Sequence, residues 1–236
     1  MKNLLTKFKS FFNPKNELII LYTLFAAMLV CANCIATKQI PIGRWFGVDV
    51  SITVGVICYP VTFLITDIIG EKFGKKEATM AVIAGLVAQV VAIIFVVIAN
   101  AIPGNDKAVA EQFNGILGSN WILTIGSLTA CLLSQTWDVW VFHKIRNKYI
   151  EKHGSTKGGR WIWNNASTIT SQLIDSVVFY CFLLLMLHTQ GVDLPINVCF
   201  ITVFAYWVIK LAIAVLDTPF FYLLTNKYGK KDEQQE

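Results

Sequence analysis

Six apolar runs, each about twenty residues or longer, take up most of this 236-residue chain. They cover Glu17–Thr37, Val50–Ile69, Ala78–Ile102, Trp121–Phe142, Asn165–His188 and Ile196–Thr225. A helix needs roughly 20 mostly apolar residues to cross the hydrocarbon core of a bilayer, so each run is long enough to span once. Only 15% of the residues are charged and 55% are hydrophobic, whereas a soluble domain carries about 25% charged residues on its wetted surface. This argues against a soluble enzyme, a nucleic-acid-binding domain or a disordered chain. Six spans also leave no room for a second globular domain.

The first run is too long for a signal-peptide core of ~7–15 residues, and no small-residue cleavage site follows it. It is expected to remain as the first helix. The last run is long enough to tilt, or to break near Pro219. Orientation follows from the cations outside the spans. Sixteen of the twenty Lys and Arg fall on one side: in the N-terminal arm, the second–third connection, the fourth–fifth connection and the C-terminal tail. Only Lys38, Arg44 and Lys107 fall on the other, and Lys210 lies inside the sixth span. The expected fold is an all-α integral membrane protein, a single bundle of six transmembrane helices with both termini cytoplasmic. Residues 1–16 form a cytoplasmic arm, 17–225 the membrane domain and 226–236 a cytoplasmic tail. Trp45 and Trp121 are expected at the outer boundary, and Trp161, Trp163 and Tyr228 at the inner one, as interfacial anchors.

Ionisable groups inside spans are costly and usually mark a site in the bundle interior. Here they are Asp67, Asp138, Asp175, Lys210 and Asp217. Gln89, Gln135 and Gln172 add uncharged polar groups, and the set is expected to converge on one cavity. Asp67 stands at the end of its span, where it can either join the site or snorkel to water. Asp175 lies too deep to snorkel. Lys210 and Asp217 are two helical turns apart on one face, which suits gating or charge compensation.

The fourth and fifth spans echo each other. Residues 134–142 and 171–179 are identical at five of nine positions, including Ser134-Gln135…Asp138 and Ser171-Gln172…Asp175. Gln and Asp three residues apart share a helix face. Consecutive spans run antiparallel, so the two faces can oppose each other across a twofold axis in the membrane plane, as transporter half-sites do. A carboxylate accepts hydrogen bonds, and a Gln amide both donates and accepts. Together they suit a flat heterocycle with adjacent N–H donors and a carbonyl. Tyr59 and Phe63 precede Asp67 by eight and four residues, so they can stack on such a ring or simply pack.

The six cysteines all lie in apolar runs and read as small fillers. A metal or redox pair at Cys31-x-x-Cys34 lacks an accompanying His or second Cys pair. The chain has no Walker loop, no His-Glu-x-x-His, no Gly-x-Ser-x-Gly elbow and no potassium-filter sequence. It therefore does not hydrolyse ATP alone, carries no enzyme constellation and calls for no cofactor.

Several motifs are more specific. Tyr59-Pro60-Val61-Thr62-Phe63-Leu64-Ile65-Thr66-Asp67 leads into Gly70-Glu71-Lys72. Ser134-Gln135…Asp138-Val139…Val141-Phe142 precedes Asn164-Asn165-Ala166-Ser167-Thr168…Ser171-Gln172…Asp175-Ser176, and Lys210 and Asp217-Thr218-Pro219-Phe220 close the series. From about Tyr22 to Tyr228 the pattern resembles the queuosine precursor transporter family of the vitamin uptake transporter group. The resemblance implies import of 7-cyano-7-deazaguanine, 7-aminomethyl-7-deazaguanine or queuine across a bacterial inner membrane, for tRNA queuosine modification. It places the family's Thr-Asp pair on Thr66-Asp67, two further acids on Asp138 and Asp175, and a lysine on Lys210. Ser176 departs from the Thr often found after the acid. The expected substrate-binding residues are Gln135, Asp138, Gln172, Asp175, Asp67, Phe63 and Tyr59, with Lys210, Asp217 and Thr66 for gating or charge compensation. The partners are a small deazapurine and the lipid bilayer, with no nucleic acid. A homo-oligomer and ATPase subunits stay open, as does the choice between proton-coupled uptake and facilitated diffusion. The rival readings are the capture subunit of an ATP-driven vitamin importer and an integral membrane enzyme.

Overall fold

The computed structural model describes residues 13–118, 121–156, 158–189 and 191–225. Its long helices are α1 (Pro14–Cys34), α2 (Cys58–Phe73), α3 (Lys75–Ala101), α5 (Trp121–His153), α6 (Arg160–Thr189) and α7 (Ile196–Thr225). A short α4 (Lys107–Phe113) sits between α3 and α5. Among the described residues five helices are long and apolar enough to cross a membrane. The sixth, α5, has 33 residues and so ample length; its Ser134, Gln135 and Asp138 dilute its apolar character. Apolar side chains such as Ile83, Val87, Ile94, Phe95 and Phe200 are exposed, as expected where a helix faces lipid rather than water.

Local chemistry sets the ends. The Asn13 side chain accepts from the Asn16 N–H at 2.9 Å and Pro14 follows it, a favourable start for α1. Gly74, with φ +90°, is the whole connection between α2 and α3. That backbone conformation is open to glycine and strained for other residues.

One element departs from the all-helical expectation. Strands β1 (Gln39–Trp45) and β2 (Val48–Thr53) form an antiparallel hairpin around Phe46-Gly47, both of which have positive φ, as a tight two-residue hairpin turn requires. The second apolar run therefore enters its helix through a strand and a short 3-10 turn (Val54–Ile57). Val50 and Ile52 point inward, and Ile52 packs with Val56 and Tyr206 of α7. At the first span, helix ends at Cys34 rather than Thr37. Pro219 does not break α7, which is continuous around it.

The described basic segments meet at the end of the bundle opposite the hairpin. Glu71 at the end of α2 pairs with Arg146 of α5 at 3.0 Å and Arg160 of α6 at 3.4 Å, and Lys72 pairs with Glu17 of α1. Next to them lies a hydrophobic plug of Ile68 and the aromatic Phe142, Trp163 and Phe221. Trp163 is completely buried there, which corrects its expected place as an interfacial anchor; Trp161 is exposed. Tyr228 and the Trp121 side chain lie outside the described residues.

A second core cluster joins Phe25 and Leu29 of α1 to Ile65 and Ile69 of α2 and Ala81 and Val82 of α3. Close packing depends on Gly85, where an added Cβ would come within 2.3 Å of the Phe25 ring. Gly85→Ala is expected to destabilise the bundle by about 1–3 kcal/mol, read as a lowered Tm in detergent. Phe25→Leu in the same chain is expected to recover part of that loss. An unchanged Tm for Gly85→Ala would show that α1 and α3 are not locked at this level.

Candidate functional site

A cavity of about 910 Å³ opens between the helices toward the hairpin end. Helices α1, α2, α3, α5, α6 and α7 and the hairpin all contribute to its wall. Its size lies within the roughly 300–1,000 Å³ of small-molecule sites.

The most demanding group on its wall is Lys210, only 5% exposed at the middle of α7. Its ammonium hydrogen-bonds Asp175 of α6, and both side chains are almost fully buried. Lys210 also stands 5.4 Å from the Tyr59 ring centre on α2. The Ser134 hydroxyl of α5 donates to the same carboxylate at 3.3 Å. Tyr59 OH shares a hydrogen bond with Ser127 at 2.9 Å, and Ser127 donates to Asn33 of α1 at 2.6 Å. A continuous polar chain thus crosses the cavity floor through five helices.

Next to this floor the two echo segments lock together. Ser134 of the first donates to Asp175 of the second, and Ser171 of the second donates to Asp138 of the first at 2.9 Å. The two segments thus face each other as the echo suggests, but they meet through serine and aspartate rather than through the expected Gln-x-x-Asp faces. Asp138 also has the Asp67 carboxyl and the Ser167 hydroxyl as polar neighbours, while its Oδ2 has no hydrogen-bond partner among the described residues. Asp67 is 3% exposed; it does not snorkel to water.

The expected set does not converge on one cavity. Asp175, Tyr59 and Lys210 line the large one. Asp67 and Phe63 line a small separate void with Asn164 and Thr168. Gln135 is spent between helices: its amide donates to Thr62 and accepts from Thr66, each at 3.2 Å. Gln172 is fully buried, and neither amide atom has a hydrogen-bond partner among the described residues. Lys210 takes Asp175 as its counter-ion; the Asp217 side chain lies outside the described residues. The sequence motifs include Asn33, in Ala32-Asn33…Ala36-Thr37-Lys38 at the end of the first span, without a role for it, and they pass over Ser127. A lone Ser in an apolar helix carries no charge and no spacing pattern.

The family model described as "Putative vitamin uptake transporter" matches residues 53–224. The chain belongs to the vitamin uptake transporter family. A curated protein of Bacillus subtilis (strain 168), named "Probable queuosine precursor transporter", is 29% identical over 195 residues, which cover 82% of this chain and 78% of that protein. No solved structure matches the chain. Both matches are to transporters rather than enzymes. Together with the apolar helices they make this a multi-pass membrane transporter.

In this vitamin uptake transporter the buried Lys210–Asp175 pair lines the large cavity. Breaking a buried pair by removing one partner costs about 3–5 kcal/mol, because the other charge is left unpaired. Lys210→Met is therefore expected to lose thermal stability and membrane abundance. Lys210→Met with Asp175→Asn removes both charges and is expected to regain most of that stability. If the double variant is no more stable than Lys210→Met, the two side chains are not energetically coupled.

Proposed function

We propose that this chain imports queuosine precursors, with 7-cyano-7-deazaguanine as its first substrate, through the 910 Å³ cavity. The single observation that carries the reading is the buried Asp175 on the cavity floor, held by Lys210 and Ser134. A carboxylate with oxygens at a polar floor can accept from two adjacent N–H groups, and the guanine-type edge of a deazaguanine offers them. Tyr59 beside it supplies an aromatic face. The name of the Bacillus subtilis relative supports the same substrate class. Asp67, Asp138, Gln135, Gln172, Phe63 and Thr66 then act from within the bundle: they hold α2, α5 and α6 in register below the cargo and form its exit toward the basic end. Lys210 compensates the charge of Asp175, and Asp217 is assigned to the same helix's gating.

The orientation that goes with this reading has six spanning helices and both termini in the cytoplasm of a bacterial inner membrane. The cavity faces outward and the Glu71 ion pairs lie on the cytoplasmic side. The membrane domain runs from residue 17 to 225.

Uptake is tested in cells that cannot make the precursor, with queuosine in tRNA as the readout. Cells supplied with 7-cyano-7-deazaguanine are expected to recover the modification only when they carry this chain. Asp175→Asn, present at the same level in the membrane, is expected to take up the base with about 10–100-fold lower affinity, the loss of a charge-assisted hydrogen bond in a dry site. Recovery without the chain, or parental uptake by Asp175→Asn, would refute the assignment. Purified chain alone in liposomes is expected to equilibrate or concentrate the base; a strict need for ATPase subunits would favour the capture-subunit reading.

Topology has its own check. With Cys31, Cys34 and Cys181 replaced by Ala, a cysteine introduced at Ser155 is expected to react with a membrane-impermeant maleimide only after permeabilisation. Labelling in intact cells would reverse the orientation.

A further inference from the structure

We propose that Gln89, on α3, is a second base-recognition group of the cavity, reading a donor–acceptor edge of the heterocycle that Asp175 does not reach. The inference rests on the reading that this cavity holds the transported base.

Between Ala78 and Ala99 of α3, Thr79 and Gln89 are the only polar side chains; Asn100, at the end of the helix, lines the same cavity and its Oδ1 is also without a partner among the described residues. Thr79 is satisfied locally, its hydroxyl donating to the Lys75 carbonyl at 3.0 Å. Gln89 is not. It is 3% exposed, it lines the cavity, and its Oε1 has no hydrogen-bond partner among the described residues. A buried amide oxygen without a partner destabilises the fold relative to an apolar group of the same size, and buried polar groups in folded proteins are with few exceptions bonded. A leucine would serve the packing of α3 better. The amide is explained if its partner arrives with the cargo.

The packing of α1 against α3 fixes where Gln89 stands. Both helices run from the basic end toward the hairpin end. Gly85 abuts Phe25 and Leu29. One turn further along each helix, Gln89 falls between the levels of Leu29 and Asn33. Asn33 is the α1 end of the polar chain that runs through Ser127 and Tyr59 toward Lys210 and Asp175. Gln89 therefore adds a hydrogen-bonding group from another wall of the same cavity.

The chemistry of the two walls is complementary. Asp175 offers acceptors only and selects adjacent N–H donors. A primary amide offers one acceptor and one donor side by side, which matches a ring N–H next to a ring nitrogen or carbonyl. A deazaguanine carries both kinds of edge. A purine without the matching N–H would satisfy one wall and leave the other unpaired, and leaving a built polar site unpaired is the strong form of discrimination.

The test measures uptake of 7-cyano-7-deazaguanine by the full chain in liposomes. Gln89→Met keeps side-chain length without polarity, and Gln89→Leu gives a second apolar replacement should either one accumulate poorly. KM is expected to rise about tenfold, with Vmax and membrane abundance preserved and thermal stability unchanged or higher. An unchanged KM, or a fall in Vmax alone, overturns the role of Gln89 while leaving the transport reading intact. Absence of uptake by the parent chain overturns that reading and this inference with it.

Discussion

A lone ammonium cannot be left in the low-dielectric interior of a membrane bundle, and the architecture around Lys210 follows from that. Its counter-ion is Asp175 on α6, its aromatic neighbour is Tyr59 on α2, and α5 braces the carboxylate through Ser134. One charge on α7 thereby specifies where three other helices must stand. The pair is weak evidence for stability in itself, since hydrophobic replacements of such pairs are often as stable. Its value lies in position: it puts two opposite charges on the floor of a cavity lined mostly by aliphatic side chains.

The repeated Ser-Gln-x-x-Asp gives the neighbouring layer its order. Each serine reaches across to the other segment's aspartate, so α5 and α6 are held in a register that a one-turn slip would destroy. The two copies are nonetheless used unequally. Asp175 has a lysine and a cavity; Asp138 has Ser171, Ser167 and the Asp67 carboxyl and is completely buried. A symmetric scaffold has acquired an asymmetric electrostatic environment, with the cation on one half only.

Much of this was legible in the sequence. Apolar run length located the helices, and the polar exceptions within them located the polar core, because the energetic penalty for such residues in hydrocarbon is large enough to leave few accidents. The echo between residues 134–142 and 171–179 pointed to two facing segments, but through Gln-x-x-Asp; they meet instead through crossed serine–aspartate pairs. What escaped was tertiary. Val48, Val50 and Ile52 alternate with Asp49, Ser51 and Thr53, a strand signature that a search for long apolar runs absorbs into the following helix. Trp163 is indistinguishable in sequence from an interfacial anchor, and only the convergence of Phe142 and Phe221 encloses it. Gln135 shares its local pattern with Gln172, yet Thr62 and Thr66 on another helix satisfy the one and not the other.

The one-residue join at Gly74 has a mechanical meaning. With no loop between them, α2 and α3 have no slack, and a tilt of one is transmitted to the other. One face of α3 exposes Ile83, Val87 and Phe95, as a lipid-facing surface does, while Gln89, Ile93 and Ile94 of α3 and Tyr59 of α2 line the cavity. Helix tilt adjusts to the thickness of the surrounding hydrocarbon. Through this joint a change in bilayer thickness that tilts α3 would also be felt at α2, on the other wall of the cavity.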